Sequence, residues 1–170
     1  MSKKNPTTSI QRDWLNDYEP ELPAELPRAL HSSVKEIVTR IRLNQNTSKQ
    51  DLIKYLLPYV TAERAMDLAS SELTRAAAAA TNAQQRHMRS QGIAMVRVWS
   101  TNNDAHVCAM CQSFDKQSED VWGTQFPKGP PVHEGCRCDI TLRLDRTPAA
   151  KPKTITEQLA TFVQRILGKR

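Results

Sequence analysis

Between positions 108 and 138 the chain reads Cys-x2-Cys, then 21 residues, then His-x2-Cys-x-Cys, and this stretch holds all four of its cysteines. Five soft-metal ligands, Cys108, Cys111, His133, Cys136 and Cys138, thus fall into two clusters joined by a loop-like segment. A short turn that presents two ligands on one side, twice over, is what a closed tetrahedral site requires. The same residues could also be buried thiols beside a surface histidine, or disulfide partners. Paired spacing favours a structural zinc. Five candidates exceed the four positions of such a site. One set is Cys108, Cys111, His133 and Cys136, with Cys138 packed in the core beside Ile140; the other replaces His133 by Cys138. A filled four-ligand site has no open position for water, so metal-assisted hydrolysis is not expected.

The rest of the composition says how large a body this module can be attached to. With 170 residues, 39% apolar and 5% aromatic, the chain suits one modest domain with extensions. Its ten prolines concentrate near the start and in 127–152, which points to extended arms around a small core. No apolar run approaches the ~20 residues that span a bilayer, so no membrane role is expected. The first residues lack the apolar segment of a secretory signal, and a reducing cytoplasm favours thiolate–metal bonding over disulfides. The net charge of +6 is uneven. Residues 101–145 carry 4 basic and 7 acidic side chains, residues 146–170 carry 6 and 1. A zinc module that reads DNA places its cations on the module itself. Here the module is acidic.

Local patterning predicts an α-rich α+β protein. A polar arm over residues 1–27, with Trp14, Leu15 and Tyr18 as an apolar cluster, is expected to order against a partner or the body. A helical region follows over 28–92. Leu30, Val34, Ile37, Val38 and Ile41 recur at helical spacing in a first helix over 27–43, and a short second helix fits 49–57 before Pro58. Thr61 is placed to cap a long helix that runs without a breaker to Gln91, with Gly92 as its stop. Its small-residue stripe, Ala65, Leu68, Ala69, Leu73, Ala76, Ala77 and Ala80, lets another helix approach closely.

Residues 93–145 form the β and zinc-loop module. Residues 93–100 and 137–144 read as two strands, paired antiparallel, with the intervening loop leaving and returning at one end. On the second strand Cys138, Ile140, Leu142 and Leu144 share a face, and Cys136 has the same parity. Trp99 and Trp122 are expected in the core or as a lid over it. Asp104 and His106 could support the ligands but fit better as loop polars; His31 and His87 read as solvated. Residues 146–170 form a basic, proline-containing linker and an amphipathic helix. Its apolar face, Ile155, Leu159, Phe162, Val163, Ile166 and Leu167, is expected to dock on a partner.

Four segments resemble the phage head morphogenesis family, the minor head proteins typified by the Mu F protein. Residues 71–76, Ser-Glu-Leu-Thr-Arg-Ala, are similar to its T-E-x-x-R-A run, and Gly92 precedes a strand ending in Trp99. Residues 103–111 are similar to its D-x-x-V-C-x-x-C turn, and residues 129–138 to its P-P-x-H-x-x-C-R-C ending. Together they cover about 70 residues in the family's order. The resemblance implies a non-enzymatic virion component, low in copy or ring-associated. It would be assembled in the host cytoplasm and held in the head interior or portal region. Its partners would be the portal or the major capsid protein, and packaged DNA, with roles in head assembly and in DNA retention or delivery. Two other readings use the same residues. A DNA-binding zinc module would act on phage DNA, against the acidity of residues 101–145. A hydrolase would need an open metal position, with His106 or Asp104 joining the site.

Overall fold

The computed structural model describes residues 14–145. The expectations for residues 1–13 and for the linker and docking helix of 146–170, with Ile155, Leu159, Phe162, Val163, Ile166 and Leu167, lie outside the described residues. Within them the protein is helix-rich with one two-stranded antiparallel sheet.

Three helices form the larger part. Helix α1 (Ala29–Arg42) buries Leu30, Val34 and Val38, one face of a helical repeat, and Asn44 at φ +56° turns the chain out after it. Helix α2 (Lys49–Leu56) begins where the Asp51 carboxylate accepts from both the amide and the hydroxyl of Ser48, each at 2.8 Å. It buries Leu52, Ile53 and Leu56 and stops before Pro58. Helix α3 (Ala62–Ser90) is the long one, about 43 Å at 1.5 Å per residue. The Thr61 hydroxyl oxygen accepts from the Arg64 amide to start it. At its end Gly92, at φ +77°, donates to the Arg89 carbonyl while Ile93 donates to that of Met88. This pair of reverse bonds is the Schellman stop, and it recruits Ile93. The first strand therefore begins two residues later than its β-branched pattern suggests.

Segment 14–26 belongs to this helical core. Trp14, Tyr18, Leu22 and Leu26 are buried with residues of α1, α2 and α3, and the rings of Trp14 and Tyr18 meet tilted, centroids 6.0 Å apart. Glu72 of α3 reaches the same place, fully buried. It accepts from the Tyr18 hydroxyl at 2.9 Å, the Glu21 amide at 3.2 Å and Arg75 Nε at 3.3 Å. Burial pushes its carboxyl up, and the Arg75 charge with the Tyr18 and Glu21 donors pulls the other way.

The sheet pairs β1 (Met95–Ser100) with β2 (Asp139–Leu144), Trp99 opposite Ile140 and Arg97 opposite Leu142. Ile140 is buried, but the shared face fades along the strand: Leu142 is half-buried and Leu144 is 60% exposed. The connection from 101 to 138 contains two short helices, α4 (Ala109–Phe114) and α5 (Glu119–Trp122). They close a second core in which Trp99 packs edge-on against Trp122 at 5.3 Å and touches Phe114 and Phe126. Both tryptophans are fully buried.

Helix α3 serves both cores. Ala65, Leu68, Ala69, Ala76, Ala79 and Ala83 face the helical one, whereas Ala78 belongs to the second. Ala77, predicted on the small-residue stripe, is half-buried outside both clusters. On the module side α3 presents polar side chains that bond to the backbone of the loop and of β1. Ser71 accepts from the Gly135 amide, Thr74 donates to the Cys136 carbonyl, and Asn82 and Gln85 donate to the carbonyls of Lys128 and Met95.

Candidate metal centre

The first ligand turn is made by the start of α4. Cys108 is its N-cap residue, extended at ψ 156°, with Sγ 3.4 Å from the Cys111 amide; one turn of helix then brings Cys111 beside it. The second turn runs from His133 to Cys138, after a cis peptide between Pro130 and Pro131 and just before β2. The two turns converge. His133 Nε2 lies 3.2 Å from Cys108 Sγ and 3.6 Å from Cys111 Sγ, and Cys111 Sγ lies 3.9 Å from Cys136 Sγ. Ligand atoms of Cys108, Cys111 and His133 are mutually within 4.8 Å, and so are those of Cys111, Cys136 and Cys138. Cys111 is the member common to both triads.

Within each triad the separations approach those around one tetrahedral ion, while no four of the five ligand atoms lie mutually within 4.8 Å. Metal–sulfur bonds of about 2.3 Å and metal–nitrogen bonds of about 2.0–2.1 Å put neighbouring ligand atoms about 3.5–3.8 Å apart. A hollow of about 10 Å³, room for a single small sphere, is lined by Cys108, Cys111, His133 and Cys138. The imidazole is oriented for the task. Its Nδ1–H donates to the Glu134 carbonyl at 2.7 Å, which leaves the Nε2 lone pair facing the sulfurs. His133 also borders a separate cleft of about 370 Å³ lined by Leu22, Arg75 and Val132.

The thiols titrate apart. A hydrogen bond from Cys138 outweighs burial and pulls Cys136 down. Burial and the Cys136 charge push Cys111 up to about 12, and the bond to Cys136 together with burial pushes Cys138 up. Cys108 is lowered, first by the Cys111 amide. Burial lowers His133, but the Glu134 carbonyl and the charges of Cys136 and Cys108 raise it overall. An incoming cation must therefore displace protons, so occupancy rises with pH.

All five candidates from the sequence meet here. Cys138, expected in the core or among the ligands, is 6% exposed and packs in the cluster with Ile140, and its sulfur also lies within the second triad of possible ligands. Asp104 and His106 are exposed loop residues. Asp104 pairs with Arg137 at 2.8 Å and accepts from the His106 amide, and so ties the first ligand turn to the second; His106 stands at the rim of the hollow. Asp115 closes the neck of the loop by accepting from the Thr101 amide and hydroxyl, both at 2.9 Å. Sequence reading missed these clasps and the backbone contacts of Ser71 and Thr74. Ser71, Thr74, Asn82 and Gln85 recur three to eight positions apart on α3, a polar row beside an alanine stripe, and that row was the available signal. The chain matches no family model, no curated protein and no solved structure.

Proposed function

We propose that this chain is a phage minor head protein, a non-enzymatic virion component whose Cys/His module is stapled by structural zinc. The ordered motif set of residues 71–142, ending in Pro-Pro-x-His-x2-Cys-Arg-Cys, carries the reading. The convergence of both ligand turns on an ion-sized hollow supports a metal role for that motif. Thiolates with one imidazole suit zinc among the abundant divalent ions. Cys108, His133, Cys111 and Cys136 form the ligand set in this reading, because successive short separations link them; Cys138, which lines the hollow, is the competing fourth ligand. Cys138 then donates to the Cys136 sulfur from the second layer.

In this reading the module is a rigid adaptor. It binds the portal or the major capsid protein on the inside of the head, and residues 146–170 supply the anchor through their apolar face and their cations, which lie beside acidic side chains or packaged DNA. The acidity of residues 101–145 disfavours a DNA-reading module. The test is made on particles. Mature heads should contain the protein, crosslinked to portal or capsid, and deletion of 147–170 should leave a zinc-loaded protein that is not incorporated. Absence from particles, or metal-dependent turnover of nucleic acid or peptide lost on changing His106 or Asp104, would overturn the reading. In metal analysis Cys136→Ser should lose zinc while Cys138→Ser retains it.

A further inference from the structure

A serine or threonine inside a helix ordinarily turns its hydroxyl back to the carbonyl one turn earlier. Ser70 does this, donating to Met66 O at 2.7 Å. Its neighbours do not. Ser71, 5% exposed, accepts from the Gly135 amide at 2.8 Å, and Thr74, 9% exposed, donates to the Cys136 carbonyl at 2.9 Å. Both bonds leave α3 and end on consecutive residues of the second ligand turn, between His133 and Cys138. Gly135 is at φ +76°, and a Cβ there would stand 2.9 Å from the Asp67 carboxylate of the same helix, so the turn is seated against α3 at close range. The Glu134 carboxylate is also held, by Arg64 of α3 at 3.4 Å.

We infer that Ser71 and Thr74 are positioning residues for the metal centre: the long helix holds the His133–Cys138 turn in its ligating shape before an ion arrives. The role rests on the metal reading above. Its physical basis is preorganisation. A free turn of this length loses backbone freedom when it closes on an ion, and that loss weakens binding. Two hydrogen bonds to a rigid helix place the loss in folding instead. Neither side chain touches the ion. Each sets the path of the backbone that carries Cys136 and, through the bond between the Cys136 amide and the His133 carbonyl at 3.3 Å, that of His133.

The test uses the full chain, with Zn²⁺ affinity read by competition against a chromophoric chelator and ligand geometry read from the Co²⁺ spectrum. Thr74→Val keeps the shape and removes the donor, and Ser71→Ala removes the acceptor. Each should weaken Zn²⁺ binding about 10-fold, in the range found when groups behind a ligand are removed. Thr74→Ser should restore wild-type affinity. Asn82→Ala breaks another bond from α3 to the module, at Lys128, away from the ligands, and should leave affinity within twofold. The positioning role falls if Thr74→Val and Ser71→Ala bind within twofold of wild type, or if Asn82→Ala weakens binding as much as they do. If the wild-type protein takes up neither ion, the metal reading itself falls and the positioning role with it.

Discussion

The helical half and the cysteine module are built on one long helix, yet they bury their interiors by different means. In the helical half Trp14, Tyr18, Leu30, Val34, Leu52, Leu56 and the alanine face of α3 interlock, a core of large aliphatic and aromatic side chains. Among the described residues the module has a smaller buried cluster, Ala78, Trp99, Cys111, Trp122, Cys136, Cys138 and Ile140, and three of those seven are cysteines. Its longest stretch, 101–138, is mostly loop and two short helices. Transfer of apolar surface stabilises by about 25 cal/mol per Å², so the helical half can hold itself together and the module leans on cross-links. Those are the Asp104–Arg137 pair, the Asp115–Thr101 clasp, the polar row of α3 and, in the proposed reading, a bound zinc. The lesson is a division of labour. Burial stabilises one region, and point contacts at named atoms stabilise the other.

If zinc staples the module as proposed, the strongest way to break that comparison is to remove it. Chelation, or Cys111→Ser, should cost the module a binding free energy on the order of 10 kcal/mol. Amide exchange over 101–135 should rise sharply and the near-ultraviolet signal of Trp99 and Trp122 should fade, while α1 to α3 keep their helical signal. If both halves melt together, the division is wrong.

Truncation of the cores comes next in size. Leu56→Ala should destabilise the helical half by about 2–5 kcal/mol, and Trp99→Ala the module by about 3–5 kcal/mol. Thermal unfolding followed separately by helix content and by metal release tells which half each change reaches.

Gly129→Ala sharpens the picture of the module's packing. The position is at φ +81°, and a Cβ there would lie 2.2 Å from Ile140 Cδ1, a side chain only 3% exposed with little room to move. A loss of about 1–3 kcal/mol is expected, measured by denaturant unfolding. Gly92, equally left-handed but with nothing within 4 Å of that point, should lose only about 1 kcal/mol as alanine.

The smallest effect is a pH slope. The Thr101 amide, then the Thr101 hydroxyl, hold the Asp115 carboxyl below its ordinary value. A carboxylate depressed in the folded state contributes stability that is complete above its unfolded value and lost as pH falls through the folded one. Asp115→Asn should therefore be slightly less stable near neutrality and show a shallower decline in acid than wild type. An unchanged acid slope in unfolding titrations would remove the clasp from the account.

Much of the fold was legible locally. Helix ends were placed within two residues because Thr61, Pro58 and Gly92 act through their own backbone and immediate neighbours. The two strands followed from alternation, their antiparallel pairing from the loop that leaves and returns at one end, and the meeting of the two cysteine clusters from their spacing. Leu144 broke the pattern, since alternation gives parity but not how much of that face the rest of the fold covers. The short helices α4 and α5 were not legible: six and four residues are too few for a period to register.

What the sequence determined by itself is chemical and local: which residues can cap, stop, alternate or ligate. Which face of α3 meets which partner was decided only in three dimensions. Glu72 shows this. A glutamate in a helix reads as solvated, and here it is fully buried because Tyr18 and Glu21, more than fifty residues earlier, bring donors to it. Ser71 and Thr74 likewise look like indifferent helix residues until Gly135 and Cys136 arrive beside them. The reason is physical. A cap or a turn is satisfied by neighbours along the chain, whereas a buried polar group is stable only if the fold brings a distant partner to within about 3 Å.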